Sequence, residues 1–280
     1  MKEPEEMPEI TLQHETLREN PTRPEIALDT LERYSNVPIE DFQKFILLTN
    51  FPLYVDIFAE IMGVPLHQGN VLRSAHSKEK QISIIDFRVG APMGALIMDV
   101  ISYTHPQVVL MLGLCGGLHR AHTLGDFIIP VAAIRDEGAS LHYMPPQVPS
   151  LPAFLVQQFV SEELMAKNIH FHTGVLHTTD YRMWEFDDHF ITRLKEERAT
   201  AIDMECSALF TVGFSRKVPV GALMLISDLP LQNNGIKTKK SGNGVLDKFS
   251  GLHLQTGVDC LMRMQYVNRD DRVNFRRYHF

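Results

Sequence analysis

Cysteine is scarce in this chain: Cys115, Cys206 and Cys260 are its three thiols, far apart and without CxxC spacing. That excludes a disulfide framework and makes a reducing, cytoplasmic setting the expectation. Long apolar runs are missing too. The stretch Val218 to Ile226 stops far short of the roughly 20 residues that span a bilayer, so no membrane segment is expected. The N-terminal MKEPEEMPEI lacks the basic region and apolar core of a secretory leader. Positive charge is in deficit. A net charge of −7 gives no general attraction to nucleic acid, although a local Arg or Lys can still meet a small anion. There is no internal repeat, no GxGxxG and no P-loop.

What is present fits one soluble α/β domain of ordinary composition, since 44% of the residues are hydrophobic and 22% charged, enough to bury a core. Residues 1–40, with Pro4, Pro8, Pro21, Pro24 and Pro38 among many acids, read as an acidic extension with a short helix around Ala27–Tyr34. Residues 41–280 form the main domain. There, Phe45–Leu48 and Ile82–Ile85 are short apolar strands. Met93, Leu96, Ile97, Val100 and Ile101 mark one face of a helix, and Val108–Leu112 is a strand closed by a glycine turn, Gly113–Gly117. Strand, helix, strand is a βαβ unit, and continuous apolar strands point to a sheet covered on both faces. Further strands are expected at 126–133, 173–177, 199–203 and 218–227. Helices are expected at 152–167, 187–197, 204–216 and 246–265, the last with Leu254, Val258, Leu261, Met262 and Gln265 on one stripe. Residues 145–149 read as a rigid Pro connector and 232–244 as a mobile loop.

Several residues could carry chemistry. Asp228 ends the apolar strand at 218–227, where α/β sheets bind ligands, although an acid there can equally cap the next turn. Asp203, Met204 and Glu205 stand where another strand enters a helix. Acids are favoured there by the helix dipole, and they could also accept hydrogen bonds from sugar hydroxyls. The TTDYRMWE segment (178–185) sets Arg182 beside Trp184, the one tryptophan, a pairing able to hold a base or a phosphate or simply to pack. Cys115 lacks a His partner at a recognised spacing, and the HxxH pair His119/His122 lacks a third ligand, so neither a thiol nucleophile nor a metal site is expected.

Taken in order, FRVGAPMGALIMD (87–99), LGLCGGLHRAHTLGDFIIPVAAIRDEG (112–138), YMPPQVPSLPAF (143–154), TTDYRMWE, AIDMECSALFTVGF (201–214) and VPVGALMLISDLPLQNNGIKT (218–238) resemble the nucleoside phosphorylase superfamily and, within it, the AMP nucleosidases. The resemblance implies a single-domain, three-layer αβα fold with a twisted, partly barrel-like mixed sheet, assembled as a homohexamer and using no cofactor or metal. It implies AMP as the small-molecule substrate, with Asp228 as the acid at purine N7 and Glu205, after Met204, holding the ribose hydroxyls. It also implies that Gly116 and Gly117 let the purine lie against the backbone. Where phosphorylases hold orthophosphate with two Arg and a Ser, this chain has Tyr54 (or Leu53), Met111 and Leu114. Losing those ligands forfeits charge-assisted hydrogen bonds of about 1.5–3 kcal/mol each, so water becomes the expected nucleophile. Arg182 replaces an aromatic residue of the bacterial phosphorylases and suits a 5′-phosphate, with Arg135, Lys237 and Arg88 as further candidates. A phosphorylase or methylthioadenosine-type nucleosidase, and a catalytically silent nucleotide-binding protein, are the competing readings.

Overall fold

The structure is a computed structural model that describes residues 21–269 and Phe275. Residues 1–20 of the N-terminal segment thus lie outside the described residues. The remainder of that segment holds α1 (Arg23–Ser35), which starts a turn earlier than the helix expected around Ala27–Tyr34. It starts in a Thr22/Glu25 capping box and ends at Asn36 in the left-handed region. Ala27 and Leu31 are buried in the main core, so this helix packs on the domain.

The β1 (Phe45–Thr49), α2 (Pro52–Met62) unit follows, with Pro52 in the first turn and Gly63 at φ +62° ending the helix. Two short strands then appear that periodicity does not announce, β2 (Leu66–Gln68) and β3 (Arg73–Ser77). The βαβ unit is β4 (Ile82–Asp86), α3 (Ala91–Ser102) and β5 (Val108–Gly117). Next come β6 (Phe127–Asp136), α4 (Phe154–Ala166), β7 (Phe171–Thr179), α5 (Asp188–Glu197), β8 (Ala201–Asp203), α6 (Cys206–Ser215), β9 (Val220–Asp228) and α7 (Lys239–Arg269).

The nine strands form one mixed sheet in the order β2-β3-β4-β1-β5-β8-β7-β6-β9, and β9 returns to pair with β5. That last pairing closes β5, β8, β7, β6 and β9 into a five-stranded barrel, continuous with an open sheet of β2, β3, β4 and β1. Helices α1, α3 and α6 cover one face and α2, α4 and α7 the other. Burial on both sides is why the strands read as unbroken apolar runs. Ile46, Leu48, Val109 and Met111 face one cluster, while Phe45, Leu47, Leu110 and Leu112 face the other. Each such fully buried side chain contributes about 1.5–3 kcal/mol.

Three expectations are corrected here. Gly113–Gly117 is not a turn: it continues β5 into the barrel wall, and none of these glycines has a positive φ. The segment 232–244 is not wholly a loop, because α7 already begins at Lys239. Met262 is exposed, and the buried stripe of α7 runs instead through Leu254, Val258, Leu261 and Met264.

One detail of the topology positions the site. The pairing of β1 with β5 ends at Thr49 opposite Leu112, and β8 takes the same side of β5 only at Gly116 and Gly117. Between them, Gly113–Cys115 keep β9 alone as a paired neighbour among the described strands. The sheet parts there, and such a crevice at strand ends is where α/β folds bind ligands.

Candidate active site

A cavity opens at this crevice. Asn50 and Phe51 follow β1 on one side, Met204 and Glu205 follow β8 on the other, and Leu114–Gly116 form the floor. A register shift in the β5/β9 ladder aims Asp228. Cys115 pairs with Ile226, but Gly116 pairs with Asp228, so Ser227 is the extra residue of a bulge. The carboxylate is thereby set over a position without a side chain: a Cβ on Gly116 would lie 3.2 Å from Asp228 Oδ2 and as close to Ile202 and Pro230. Gly117 faces the opposite way, towards His122 and Ile226, as strand alternation requires, so only Gly116 opens the floor.

The Asp228 carboxyl accepts from Ser227 Oγ (2.6 Å), and Lys237 Nζ donates to that hydroxyl (3.1 Å). Burial raises the Asp228 pKa, opposed by the Ser227 hydrogen bond and by the positive charges of Lys237 and Arg182. Burial likewise lowers the pKa of Lys237, whose ammonium lies 5.4 Å from the Phe51 ring centroid.

Glu205 is almost wholly buried and accepts the N–H of Gly90 at 2.8 Å. Gly90 stands at φ +99° as it leads into α3, a backbone conformation that a side chain would strain. Burial, followed by the negative charge of Asp203, raises Glu205 to about 7, against the hydrogen bonds from Gly90 and Asn50. Asp203 itself is fully engaged as a helix cap. Oδ2 accepts from the N–H groups of Cys206 (2.7 Å) and Glu205 (3.2 Å), and Oδ1 accepts from Thr178 Oγ1 (2.6 Å). It lines the cavity, but its hydrogen bonds serve to fix the turn into α6 that carries Glu205.

Arg182 and Lys237 are the cations among the described residues that line the cavity. Arg182, with 51% of its side chain exposed, stands at the rim and donates from Nη1 to Glu185 Oε1 at 2.7 Å. Trp184 lines the wall and packs tilted against Phe190 at 5.8 Å between centroids. Two other cations expected here lie elsewhere. Arg135 is consumed by Ser140 Oγ (2.9 Å) and by the carbonyls of Met144, Pro145 and Val148 (2.6–2.8 Å), so it pins the Pro connector. Arg88 bonds the Val71 carbonyl and pairs with Asp86, and its neighbour Val89 lines the cavity instead.

Cys115 lines the floor, but burial pushes its thiol well above the ordinary range, which leaves no thiolate for attack. Tyr54 points into the core, where its hydroxyl meets His253 Nδ1 at 2.8 Å, and Met111 is fully buried. Leu114 alone of the three substituted positions reaches the cavity. Sequence reasoning passed over Asn50 and Glu185. Each has a buried side-chain oxygen without a hydrogen-bond partner among the described residues. For Asn50 a signal existed, a polar residue at the carboxyl end of an apolar strand just before Pro52. For Glu185 there was only its place after Trp184.

A sequence model of the phosphorylase superfamily matches residues 43–247, which include every cavity residue named above. The chain belongs to this superfamily. Among solved structures of the superfamily, AMP nucleosidase from Bacteroides thetaiotaomicron VPI-5482 is 37% identical, with a TM-score of 0.79 over 89% of this chain and 100% of that one. Uridine phosphorylase from Vibrio fischeri ES114 shares the fold at 23% identity, with a TM-score of 0.72 over 81% of this chain and 95% of the other. AMP nucleosidase of Escherichia coli K12 is 28% identical over 85% of this chain. The chain spans 58% of that relative's length.

Proposed function

We propose that this superfamily member hydrolyses the N-glycosidic bond of AMP, releasing adenine and ribose 5-phosphate. The observation that carries the reading is the pairing, in one cavity, of two buried carboxyls, Asp228 and Glu205, while Tyr54, Met111 and Leu114, the positions where the resemblance puts the orthophosphate ligands, are core-facing or apolar. As the C1′–N9 bond lengthens, Asp228, whose raised pKa favours its acid form, delivers a proton to N7 and adenine leaves with it. Glu205 accepts hydrogen bonds from the 2′- and 3′-hydroxyls and offsets the positive charge growing on the ribose. Water adds to C1′, and the proton it releases as the new hydroxyl forms passes to solvent, from which Asp228 regains the proton given to N7. The unpartnered Asn50 Oδ1, at the β1 side of the crevice, is suited to hold that water. Arg182 keeps Nε and Nη2 for the 5′-phosphate while Nη1 stays on Glu185. Three buried free thiols suit a reducing cytoplasm, and a homohexamer goes with the superfamily resemblance.

The test is incubation with AMP with and without orthophosphate, resolving the products by chromatography. Adenine and ribose 5-phosphate are expected in equal amounts, at a rate that phosphate does not raise. A requirement for phosphate, with a doubly phosphorylated sugar as product, would make the chain a phosphorylase. Arg182→Met is expected to lower kcat/KM on AMP by about 10- to 100-fold more than that on adenosine, because the charged hydrogen bond to phosphate is lost with AMP alone, whereas the lost bond to Glu185 is common to both substrates. Equal losses on both substrates would take Arg182 out of phosphate binding.

A further inference from the structure

We propose that Glu185 reads the 6-position of the purine and selects a 6-amino over a 6-oxo base. This rests on the nucleotide-cleaving reading above and deepens it.

Glu185 sits in the short 3-10 turn Trp184–Phe186 and lines the cavity, with only 3% of its side chain exposed. Arg182 occupies Oε1. The other oxygen, Oε2, is buried and accepts no hydrogen bond from the described residues. A carboxylate oxygen withdrawn from water without a donor is unfavourable, so the site is short of one N–H or O–H that a ligand can bring. Glu185 is also close enough to Asp228 for its charge to act on that carboxyl.

Purine chemistry supplies the missing donor in the right neighbourhood. On one edge of adenine, N7 is an acceptor and the adjacent 6-amino group a donor, whereas a 6-oxo purine shows two acceptors on that edge. Asp228 in its acid form is a donor matched to N7. An acceptor beside it matches the amino group, and Glu185 Oε2 is such an acceptor. With a 6-oxo base the same oxygen would face a carbonyl, with no proton between them. Ser227 already occupies Asp228 Oδ1, so Asp228 has little capacity to accept from the amino group as well as donate to N7. A site built to bond a polar substituent rejects analogues without it far more strongly than an apolar pocket rejects a small change of size.

The experiment measures binding of adenine, hypoxanthine, unsubstituted purine and N6,N6-dimethyladenine to the full chain, together with kcat/KM on AMP and IMP, for the parent and for Glu185→Gln. The parent is expected to bind adenine about 10- to 100-fold more tightly than the other three bases, the worth of a hydrogen bond to a charged acceptor. In E185Q the four affinities should draw together and the AMP/IMP ratio should fall in step, with the thermal midpoint unchanged. A parallel loss on AMP and IMP with the ratio intact would overturn the inference and leave Glu185 as a support for Arg182. AMP cleavage without any change in base ranking refutes the inference alone. Adenine selection that depends on Glu185, in a chain that leaves AMP uncleaved, supports the inference and refutes the AMP reading. Should E185Q not fold, Glu185→Asp, which withdraws the carboxylate but keeps its charge, must lower the preference for adenine, and an unchanged preference overturns the assignment.

Discussion

Asp228→Ala is expected to lower kcat on AMP by about 10²–10⁴-fold, or 3–5 kcal/mol of barrier, while AMP binding persists. The size follows from what the substitution removes. An acid that delivers a proton to the leaving base acts chiefly in the transition state, so its loss falls on kcat more than on KM. The contacts proposed for Glu205 and Arg182 with ribose and phosphate would remain. Folding should not suffer, since burial already disfavours the charged form of Asp228. Single-turnover rates and calorimetric AMP affinity, measured on the same preparation, separate the two effects. Near-normal turnover by the variant would remove Asp228 from the chemistry.

The second large effect is expected at Glu205. Two hydrogen bonds from ribose hydroxyls to one buried carboxylate are together worth about 3–6 kcal/mol, so Glu205→Gln should reduce kcat/KM by roughly 10²–10⁴-fold. The parent should lose most of that factor on 2′-deoxy- and 3′-deoxy-AMP, whereas E205Q should discriminate poorly among the three. Equal sensitivity of parent and variant to deoxygenation would contradict the role. The pH dependence has a definite sign. With its pKa raised to about 7, Glu205 is a carboxylate only towards neutral pH and above, so the acid limb of kcat/KM should fall near 7 and vanish in E205Q. Stability runs the other way. A carboxyl raised from 4.5 in the unfolded chain to about 7 in the fold contributes stability that is complete below 4.5 and is lost as pH rises through 7. Gln can still accept the Gly90 N–H, so E205Q should melt higher than the parent at pH 8 and close to it at pH 4.5. In the proposed role the residue must be charged, against the preference of the fold.

Periodicity made the central βαβ unit legible because its strands are apolar on both faces and its helices on one. The edge strand β2 and its neighbour β3 escaped notice, since LHQ and RSAHS carry no apolar run and their pairing is settled by tertiary contacts that no periodicity shows. Glycine misled at 113–117. It usually marks turns, but here it admits close packing, with Met224 and Met111 against Gly113 and Asp228 against Gly116. The start of α7 was hidden by KKSGNG, whose Ser, Gly and Asn have low helix propensity and which precedes the buried apolar side chain of Val245. Within the site, Asp228 could be seen as an acid ending a strand, but its role came from resemblance. Resemblance put Arg182 ahead of Arg135, without a physical reason for the order. What separates them is a run of carbonyls from Met144 to Val148 that curls around Arg135, and no local pattern encodes that.

The parting of β1 and β8 along β5 has a consequence for how activities diverge on this scaffold. Because main-chain divergence opens the cleft, replacing a lining side chain alters what is recognised there and leaves the cleft in being. The strands on either side keep their hydrogen bonds and their doubly buried apolar faces whichever residue follows them. Exchanging a nucleophile or a base preference should therefore draw little on the few kcal/mol that hold such a domain folded. Chemistry and architecture are separately mutable here, and a hydrolase and a phosphorylase can be neighbours on one fold at a distance of a few side chains.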